Sequence, residues 1–327
     1  MKKILFLKIF FIFFISACSD FEGNEDAVEA SLKPSTTSTS TSTSSDDDTG
    51  TTTTHTYYDL NGITYGNNTF VAVGEQGTVL TSSDNGATWD NGTSGTTRYL
   101  YEIAYGDSTF VTVGQRATNL YSTDNGDNWT SGTTSETSNY YGVTYGNNTF
   151  IALGTSNLLR STDNGSNWNT ITTVNLYDVV FGSSTFAGCG ADGAMYTSSD
   201  NGSSWTSRSS GASANTLRGI TYGDGQFFSV GSSGKLIKSS NNGVTWSSVD
   251  STVSKSLYSI AFGNDIFIGV GASTVIVSTD NGSSFTEKEN SYTFADVAYG
   301  NGLFVAVGAN EIIYTSTDGD TWTKVHP

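Results

Sequence analysis

From Leu60 onward, short apolar runs alternate with polar turns at a regular interval along the chain. One unit reads "LYEIAYG" (100–106), "STFVTVG" (108–114), "NLYSTD" (119–124) and "NWTSG" (128–132). Runs of this length, rich in aromatic and β-branched residues and bounded by Gly, Asn and Asp, are typical of β-strands. No segment has a helical periodicity of useful length. The pattern therefore predicts an all-β protein with four strands in each unit.

The unit occurs seven times. Its leading aromatic residues are Tyr65, Tyr105, Tyr145, Phe181, Tyr222, Phe262 and Tyr299, at steps of 40, 40, 36, 41, 40 and 37 residues. A period of about forty residues with four strands is that of a propeller blade. Residues 57–327 are thus predicted to form a seven-bladed β-propeller. The units run in phase from first to last, and we hypothesise that residues 51–58 close the ring by adding an outer strand to the last blade.

A short turn, "TSSDNGATW" at 81–89, is predicted between the third and fourth strands of every unit. Its acidic position is held by Asp84, Asp124, Asp163, Asp200, Asn241, Asp280 and Asp318. Its aromatic position is held by Trp89, Trp129, Trp168, Trp205, Trp246, Phe285 and Trp322. The carboxylate can accept hydrogen bonds from its own turn, and one carboxylate per turn is too few for calcium. Even spacing around a ring, with substitutions at two copies, indicates a structural role.

The pattern Ser-x-Asp-x-Gly-x-x-Trp resembles the Asp-box, also called the BNR repeat. The repeat region is similar to the non-enzymatic BNR propellers, and in particular to domains related to the photosystem II stability/assembly factor. That resemblance implies a seven-bladed scaffold that binds proteins. It carries no functional residue over to this chain.

The N-terminal residues have a different character. "MKKILFLKIFFIFFISAC" has the basic start and apolar run of an export signal, predicted over residues 1–17. "ISAC" resembles a lipobox, which implies that Cys18 becomes the lipidated first residue of the mature protein; an ordinary leader cut nearby is the alternative. An acidic segment (18–33) and a Ser/Thr-rich, flexible linker (34–56) follow. We therefore expect a membrane anchor through the lipid, at the cell envelope, on the outer membrane or the cell surface.

Composition limits the partners. The 327 residues carry a net charge of −17, which repels nucleic acid and anionic lipid. Cys189 is the second of two cysteines and takes a position held by Val or Leu in other units, so we expect a small buried apolar group there. We expect a monomer with neither metal nor cofactor.

The sequence contains few residues suited to enzymatic catalysis. A sialidase needs three converging arginines, and the first inner strand, "LNGITYG", has none. The five arginines are Arg98, Arg116, Arg160, Arg208 and Arg218. The two histidines, His55 and His326, lie at the ends of the repeat region, which excludes a His-based triad within it. Glu102, Asp178 and Asp296 recur on inner strands and could form a glycosidase pair. A sialidase-like glycoside hydrolase is therefore kept as the alternative function.

Large polar side chains recur where the inner strands begin. Tyr101, Tyr141, Tyr177, Arg218 and Tyr258 occupy equivalent positions, with Asn61 and Ala295 in the other two units. We expect them around the mouth of the central channel, on the face opposite the Asp-boxes. They form a binding rim in one interpretation and pack between blades in the other. The sequence thus favours an exported, lipid-anchored, non-enzymatic module for a protein or glycan over a hydrolase or a purely structural surface coat.

Overall fold

The computed structural model describes residues 38–40, 55–289 and 291–326. The predicted signal peptide, Cys18 and the acidic segment lie outside the described residues, as does most of the predicted linker. The described chain forms seven four-stranded antiparallel sheets, which confirms the seven-bladed β-propeller. No helix in the described ranges combines the length and the apolar character needed to cross a bilayer.

The four strands of each blade are consecutive in sequence and run outward from the centre. The inner strands are Leu60–Gly66, Leu100–Gly106, Tyr140–Gly146, Leu176–Gly182, Leu217–Gly223, Leu257–Gly263 and Phe294–Gly300. The second strands are Thr69–Gly74, Thr109–Gly114, Thr149–Gly154, Thr185–Gly190, Gln226–Gly231, Ile266–Gly271 and Leu303–Gly308. The third strands are Val79–Ser82, Asn119–Ser122, Leu158–Ser161, Met195–Ser198, Leu236–Ser239, Thr274–Ser278 and Ile313–Ser316. The outer strands are Asp90–Asn91, Thr130–Ser131, Asn169–Thr172, Thr206–Arg208, Ser247–Ser248, Thr286–Glu289 and Thr323–His326.

Single 3-10 turns join the second and third strands of five blades. They are Glu75–Gly77, Gln115–Ala117, Ala191–Gly193, Ser232–Gly234 and Ala309–Glu311. Two further short strands, Ser38–Ser40 and His55–Tyr57, pair with each other in an antiparallel ladder.

The hydrophobic core is divided among the blade interfaces. Val71 and Val73 of the first blade pack with Leu100, Ile103 and Phe110 of the second. Equivalent clusters lie at the other interfaces, including the one between the last blade and the first. Each blade is therefore stable only between two neighbours, because neither face of its sheet can be left in water. Cys189 is fully buried in one of these clusters, and burial raises the pKa of its thiol, as expected of an inert apolar group.

An aromatic ring rests on a glycine at every blade boundary. A Cβ at Gly66 would lie 2.0 Å from Cγ of Tyr105 in the next blade, and a Cβ at Gly300 of the last blade would lie 2.0 Å from Cγ of Tyr65. The five intervening boundaries repeat the contact. Any side chain at the glycine would push the neighbouring blade away, which explains why the aromatic-Gly pair ends all seven inner strands.

The ring closes through hydrogen bonds between the start of the first blade and the 3-10 turn of the last blade, without an added strand. The Glu311 N–H donates to the Tyr58 carbonyl at 2.8 Å, and the Asn310 N–H donates to Asp59 Oδ1 at 2.9 Å. The hypothesis that residues 51–58 extend the last sheet is wrong for the described residues 55–57, which pair with Ser38–Ser40. The last blade is already complete with its own outer strand, so it needs no donated one.

The Asp-box turns are self-satisfied. In the first blade, Asp84 Oδ1 accepts from the Thr88 N–H at 2.9 Å and from the Ser82 hydroxyl at 2.8 Å. The Ser82 Oγ in turn accepts from the Gly86 N–H at 2.9 Å, and the Trp89 Nε1–H donates to the Gly86 carbonyl at 3.2 Å. The serine, whose role the sequence did not indicate, is thus the centre of the turn.

The fifth copy explains why asparagine is tolerated at the acidic position. Asn241 Oδ1 accepts from the Thr245 N–H at 2.9 Å, and its Nδ2–H donates to Thr245 Oγ1 at 2.8 Å. An amide therefore replaces the carboxylate without losing a hydrogen bond. The exchange removes only the charge.

Hydrogen bonds donated to these exposed carboxylates lower their pKa values. The Thr88 hydroxyl and then the Thr88 N–H lower the pKa of Asp84 from 3.8 to about 2. Donors from Ser204 and Ser284 lower the pKa of Asp200 and of Asp280 to about 2 in the same way. Since these pKa values lie below that of an unfolded aspartate, the turns stabilise the fold above pH 3.8 and lose that contribution as pH falls toward about 2.

We predict that the triple variant Asp84→Asn, Asp200→Asn, Asp280→Asn makes unfolding less sensitive to acid. Asn241 shows that the amide keeps the bonds, so stability at neutral pH should change little. The free energy of unfolding, from urea titrations followed by tryptophan fluorescence, should fall less steeply between pH 3.8 and about 2 than in the parent chain. Asp90→Asn, at an exposed outer-strand residue, is the control. An unchanged acid slope in the triple variant would contradict the prediction.

Candidate functional site

The strand directions give the propeller two unlike faces. The inner strand starts, and the second strand ends, at one end of each blade. The 3-10 turns and the loops between blades therefore share one side of the ring, here called the loop face. The tight turns between inner and second strands share the other side with the Asp-boxes, here called the Asp-box face.

A β-bulge occurs at the start of every inner strand. In the second blade Leu100 lies opposite Gly114 and Glu102 opposite Val113, so that the register shifts at Tyr101. The seven residues in this position are Asn61, Tyr101, Tyr141, Tyr177, Arg218, Tyr258 and Ala295. They are the residues of the predicted rim. A bulge changes the direction of one side chain, and here it does so at the same point of all seven blades.

The structure brings the large rim side chains into contact across blade boundaries. The rings of Tyr101 and Tyr141 stack with centroids 5.0 Å apart, and Tyr141 meets Tyr177 edge-on at 6.3 Å. The Arg218 guanidinium lies 5.5 Å from the ring centroid of Tyr258. We call this series the mouth arc.

Burial differs along the mouth arc. Tyr101, Tyr141 and Tyr177 are 6–8% exposed, whereas Arg218 and Tyr258 are half-buried. Burial raises the pKa of Tyr177 and lowers that of Arg218, although a guanidinium stays charged at neutral pH. The three buried tyrosines thus pack between blades, and the other two residues offer more surface to a ligand.

The inner-strand carboxylates bind backbone groups of the neighbouring blade. Asp178 accepts from its own Val179 N–H at 2.7 Å and from the Ile220 N–H of the next blade at 2.8 Å. Asp296 accepts from the Ile63 N–H across the closure at 2.8 Å. An inner strand has no further strand beside it, so its N–H groups need other acceptors. These carboxylates join blades at the channel.

Glycine alternates with the acidic residues around the channel. The successive residues are Gly62, Glu102, Gly142, Asp178, Gly219, Ser259 and Asp296. A Cβ at Gly62 would lie 2.9 Å from the Glu102 Cα, and one at Gly142 would lie 3.1 Å from the Asp178 Cα. Each glycine thus leaves room for the strand of the next blade, and Asp178 and Asp296 each reach the blade that follows. This alternation is a sequence signal of blade packing.

A cleft of about 420 Å³ opens on the loop face at the second blade, between the loops that join it to the first and third blades, with Arg98, Arg116, Thr134 and Glu136 in its wall. The Arg98 Nη1 donates to the Arg116 carbonyl at 3.1 Å and to Thr118 Oγ1 at 3.5 Å. Arg98 and Arg116, which are 18 positions apart in the sequence, thus lie side by side in the cleft.

The turn that carries Arg116 places two non-glycine residues in left-handed backbone, Arg116 at φ 53° and Ala117 at φ 56°. The last blade does the same with Asn310 and Glu311. The other three such turns have glycine at the second position, namely Gly77, Gly193 and Gly234. A side chain in this conformation costs about 1–2 kcal/mol, and such strain clusters at functional sites. The "QRA" sequence was the available signal for this site.

Glu136, which also lines the cleft, is tied to the third blade. Its carboxylate accepts from Asn157 Nδ2 and from the Thr170 hydroxyl, each at 2.5 Å. The Glu136 carboxylate is therefore already hydrogen-bonded to residues of the third blade. The two arginines give this part of a strongly acidic chain a local positive charge.

The remaining arginines lie elsewhere. The Arg160 Nε donates to the Asn201 carbonyl at 2.8 Å, and the Arg208 Nε donates to Thr197 Oγ1 at 2.8 Å. The five arginines do not converge on one point. Among the residues that the structure describes, no group of three or more His, Cys, Asp or Glu side chains is placed to hold a metal ion.

Solved structures of several propellers are similar to this chain. YCF48 from Cyanidioschyzon merolae matches with a TM-score of 0.64 at 18% identity, over 78% of this chain and 94% of that one. YCF48 bound to D1 peptide matches with 0.64 at 14% identity, over 79% and 91%. The GH74 enzyme of Niastella koreensis matches with 0.67 at 14% identity, over 81% of this chain and 53% of the enzyme. At such identities these likenesses show the fold alone.

Comparison by sequence identifies the family. No curated protein matches the chain. The family model of the photosynthesis system II assembly factor YCF48 matches residues 95–326, which is well over half of the chain and includes six of the seven blades. The chain therefore belongs to the YCF48 family of BNR-repeat propellers.

Proposed function

We propose that this protein is a non-enzymatic binding module, anchored at the cell envelope by an N-terminal lipid, whose loop face takes a segment of a protein partner. The single observation that carries the proposal is the cleft that pairs Arg98 with Arg116. A similar propeller, YCF48, has been solved bound to D1 peptide, and this favours a protein over a glycan, the second candidate ligand.

The cleft has the chemistry to hold a carboxylate or a row of carbonyl groups. A guanidinium forms paired, charge-assisted hydrogen bonds with a carboxylate, and the hydroxyl groups of Thr96 and Thr134 stand in the same wall. Because the whole chain is acidic, a partner's carboxylate is attracted only where positive charge is concentrated. The arginine pair therefore provides orientation and specificity.

The chain leads directly from the cleft to the start of an inner strand. Tyr99 follows Arg98 directly, and its ring meets that of Tyr101 edge-on with centroids 6.5 Å apart. Tyr101 begins the mouth arc, which leads on to Arg218 and Tyr258. Tyr101, Tyr141 and Tyr177 are almost fully buried, so the surface that the mouth arc offers to a bound segment is that of Arg218 and Tyr258, residue types that provide much of the energy at protein interfaces.

We predict that the double variant Arg98→Ser, Arg116→Ser binds peptides with acidic residues or a free C-terminal carboxylate at least about tenfold more weakly, since one hydrogen bond to a charged group contributes about 1.5–3 kcal/mol. The probes are an array of peptides that differ in acidic content and in C-terminal amidation, followed by titrations of the best binders. Arg160→Ser, on a third strand away from the cleft, is the matched control and should bind as the parent chain does.

Two outcomes would contradict this site. Either no peptide binds the parent chain, or the double variant binds peptides as tightly as the Arg160→Ser control. A glycan array run in parallel identifies the second candidate ligand if it binds the parent chain where the peptides do not.

The rival function is glycoside hydrolysis by the inner-strand carboxylates. The likeness to a GH74 enzyme favours it at the level of the fold. The bonds argue against it: Asp178 accepts two backbone N–H groups and Asp296 accepts one. A general acid must be free to carry and release a proton, whereas these carboxylates serve as fixed acceptors.

We predict that Asp178→Ala lowers the free energy of unfolding by about 1–3 kcal/mol, because two buried backbone N–H groups lose their acceptor. Ser259→Ala, at the equivalent position of another blade, is the control and should have a smaller effect. Urea titrations measure both variants. Turnover of a fluorogenic glycoside by the parent chain, abolished by Asp178→Ala without loss of stability, would instead support the hydrolase.

The anchor is tested separately. We predict that Cys18→Ser moves the protein from the membrane fraction to the soluble fraction of cells, because the lipidated thiol is lost. Cys189→Ala, which alters a buried cysteine of the propeller, should leave the protein with the membranes. A Cys18→Ser protein that remains in the membrane fraction would contradict lipid anchoring at this residue.

A further inference from the structure

The chain contains nine Asn-Gly pairs, six of them in Asp-box turns. This dipeptide can modify itself, because the backbone nitrogen of the glycine can attack the side-chain carbonyl carbon of the asparagine. Glycine offers no side chain to hinder the attack. Whether the reaction occurs in a folded protein depends on how firmly the glycine N–H is held.

Two of these turns form a matched pair. In the Asp-box of the first blade, Asn85 has φ 62° and Gly86 has φ 81°. In the turn between the inner and second strands of the last blade, Asn301 has φ 48° and Gly302 has φ 82°. Both follow the geometry that Asn-Gly prefers in two-residue hairpins. The backbone conformation therefore does not distinguish them.

The glycine N–H distinguishes them. The buried Gly86 N–H donates to Ser82 Oγ at 2.9 Å. The other five Asn-Gly boxes have the same bond, at 2.9–3.0 Å, and a buried glycine. To attack, this nitrogen must first give up its bond to the serine.

Gly302 lacks this protection. Both Asn301 and Gly302 are exposed, and nothing lies within 4 Å of the point where a Gly302 Cβ would be. The remaining two pairs are held in other ways. The Gly92 N–H donates to the Val79 carbonyl at 2.8 Å, and Asn61 is buried with its Nδ2–H bonded to the Leu100 carbonyl.

We propose that Asn301 is the site of spontaneous deamidation in this protein and that the Asp-box serines protect the six asparagines of the boxes. The Gly302 nitrogen loses its proton and bonds to Asn301 Cγ, the Cγ–Nδ2 bond breaks, and ammonia leaves a succinimide. Water then opens the ring. Cleavage at Cγ yields aspartate, and cleavage at the backbone carbonyl yields isoaspartate, whose main chain runs through the former side chain. Water is the sole co-reactant.

The position of Asn301 gives the reaction a structural consequence. Its Nδ2–H donates to Asn85 Oδ1 at 3.2 Å, which bridges the last blade to the first. Other blades use aspartate in the same bridge, as Asp107 accepts from Asn164 at 2.9 Å. The aspartate product therefore suits the site. Isoaspartate adds a methylene to the main chain of a two-residue turn and alters the bridge at the ring closure.

The test is peptide mapping by mass spectrometry of the full chain, incubated at mildly alkaline pH in its folded state and, in parallel, in urea. The readout at each Asn-Gly pair is the mass increase on exchange of an amide NH2 for OH. In the folded protein we expect Asn301 to react at least about tenfold faster than any box asparagine, the factor that one hydrogen bond can account for. In urea all nine pairs should react at similar rates.

Two variants complete the test. Gly302→Ala should suppress the reaction at Asn301, because its methyl group hinders the attacking nitrogen. Ser82→Ala should raise the rate at Asn85 about tenfold, with Asn125 in the neighbouring box unchanged as an internal control of folding. Equal rates at Asn301 and the box asparagines in the folded chain, or an Asn85 rate that Ser82→Ala does not alter, would overturn the proposal.

Discussion

The whole ring depends on one contact, the aromatic ring of each inner strand lying on the glycine of the blade before it. Gly66 receives Tyr105, and around the circle Gly300 receives Tyr65. The contact fixes how closely two inner strands approach, and the same aromatic residue packs on its own second strand, as Tyr65 does on Phe70 at 4.6 Å. Seven identical approaches bring the chain back to its start. Closure then needs no shared blade, and the short contacts of Tyr58 and Asp59 with the last 3-10 turn are sufficient.

With the spacing of the blades fixed by this contact, the two faces of the propeller differ in how far their turn and loop sequences vary between units. On the Asp-box face each Asp-box binds itself, and at five of the seven boundaries a side chain of the turn between inner and second strands also bridges to the Asp-box of the neighbouring blade, as from Asn67 to Asn125 at 2.8 Å. A change there disturbs both a turn and a blade boundary. The loops between blades differ in sequence from one unit to the next, so the loop face holds unlike side chains on different blades. The arginine pair and the mouth arc both lie on that face.

Sequence periodicity predicted the number of blades, the order of the strands and the position of the Asp-boxes, because these follow from local patterns repeated seven times. It also identified the residues that share the bulge position, since they are equivalent in every unit, whereas their role as a binding rim stays a prediction. It missed what depends on the distance between blades. The neighbouring positions of Arg98 and Arg116, and the reach of Asp178 to Ile220, come from contacts between residues 18 and 42 positions apart. The added outer strand was wrong for a related reason: the polar segment can pair with any exposed strand, and local pattern does not identify its partner.

The odd number of blades leaves the channel asymmetric. Glycine and an acidic residue alternate along the inner strands, but seven positions cannot alternate perfectly, and Ser259 takes the place where the pattern fails. The mouth arc is one-sided in the same way, since its five large residues occupy the second to sixth blades while Asn61 and Ala295 flank the closure. The mouth is uneven as a result, since Arg218 and Tyr258 are half-buried whereas Tyr101, Tyr141 and Tyr177 are almost fully buried. A ring whose aromatic–glycine contact is the same at all seven boundaries can in this way have an asymmetric mouth, because the residues at the start of its inner strands differ from blade to blade.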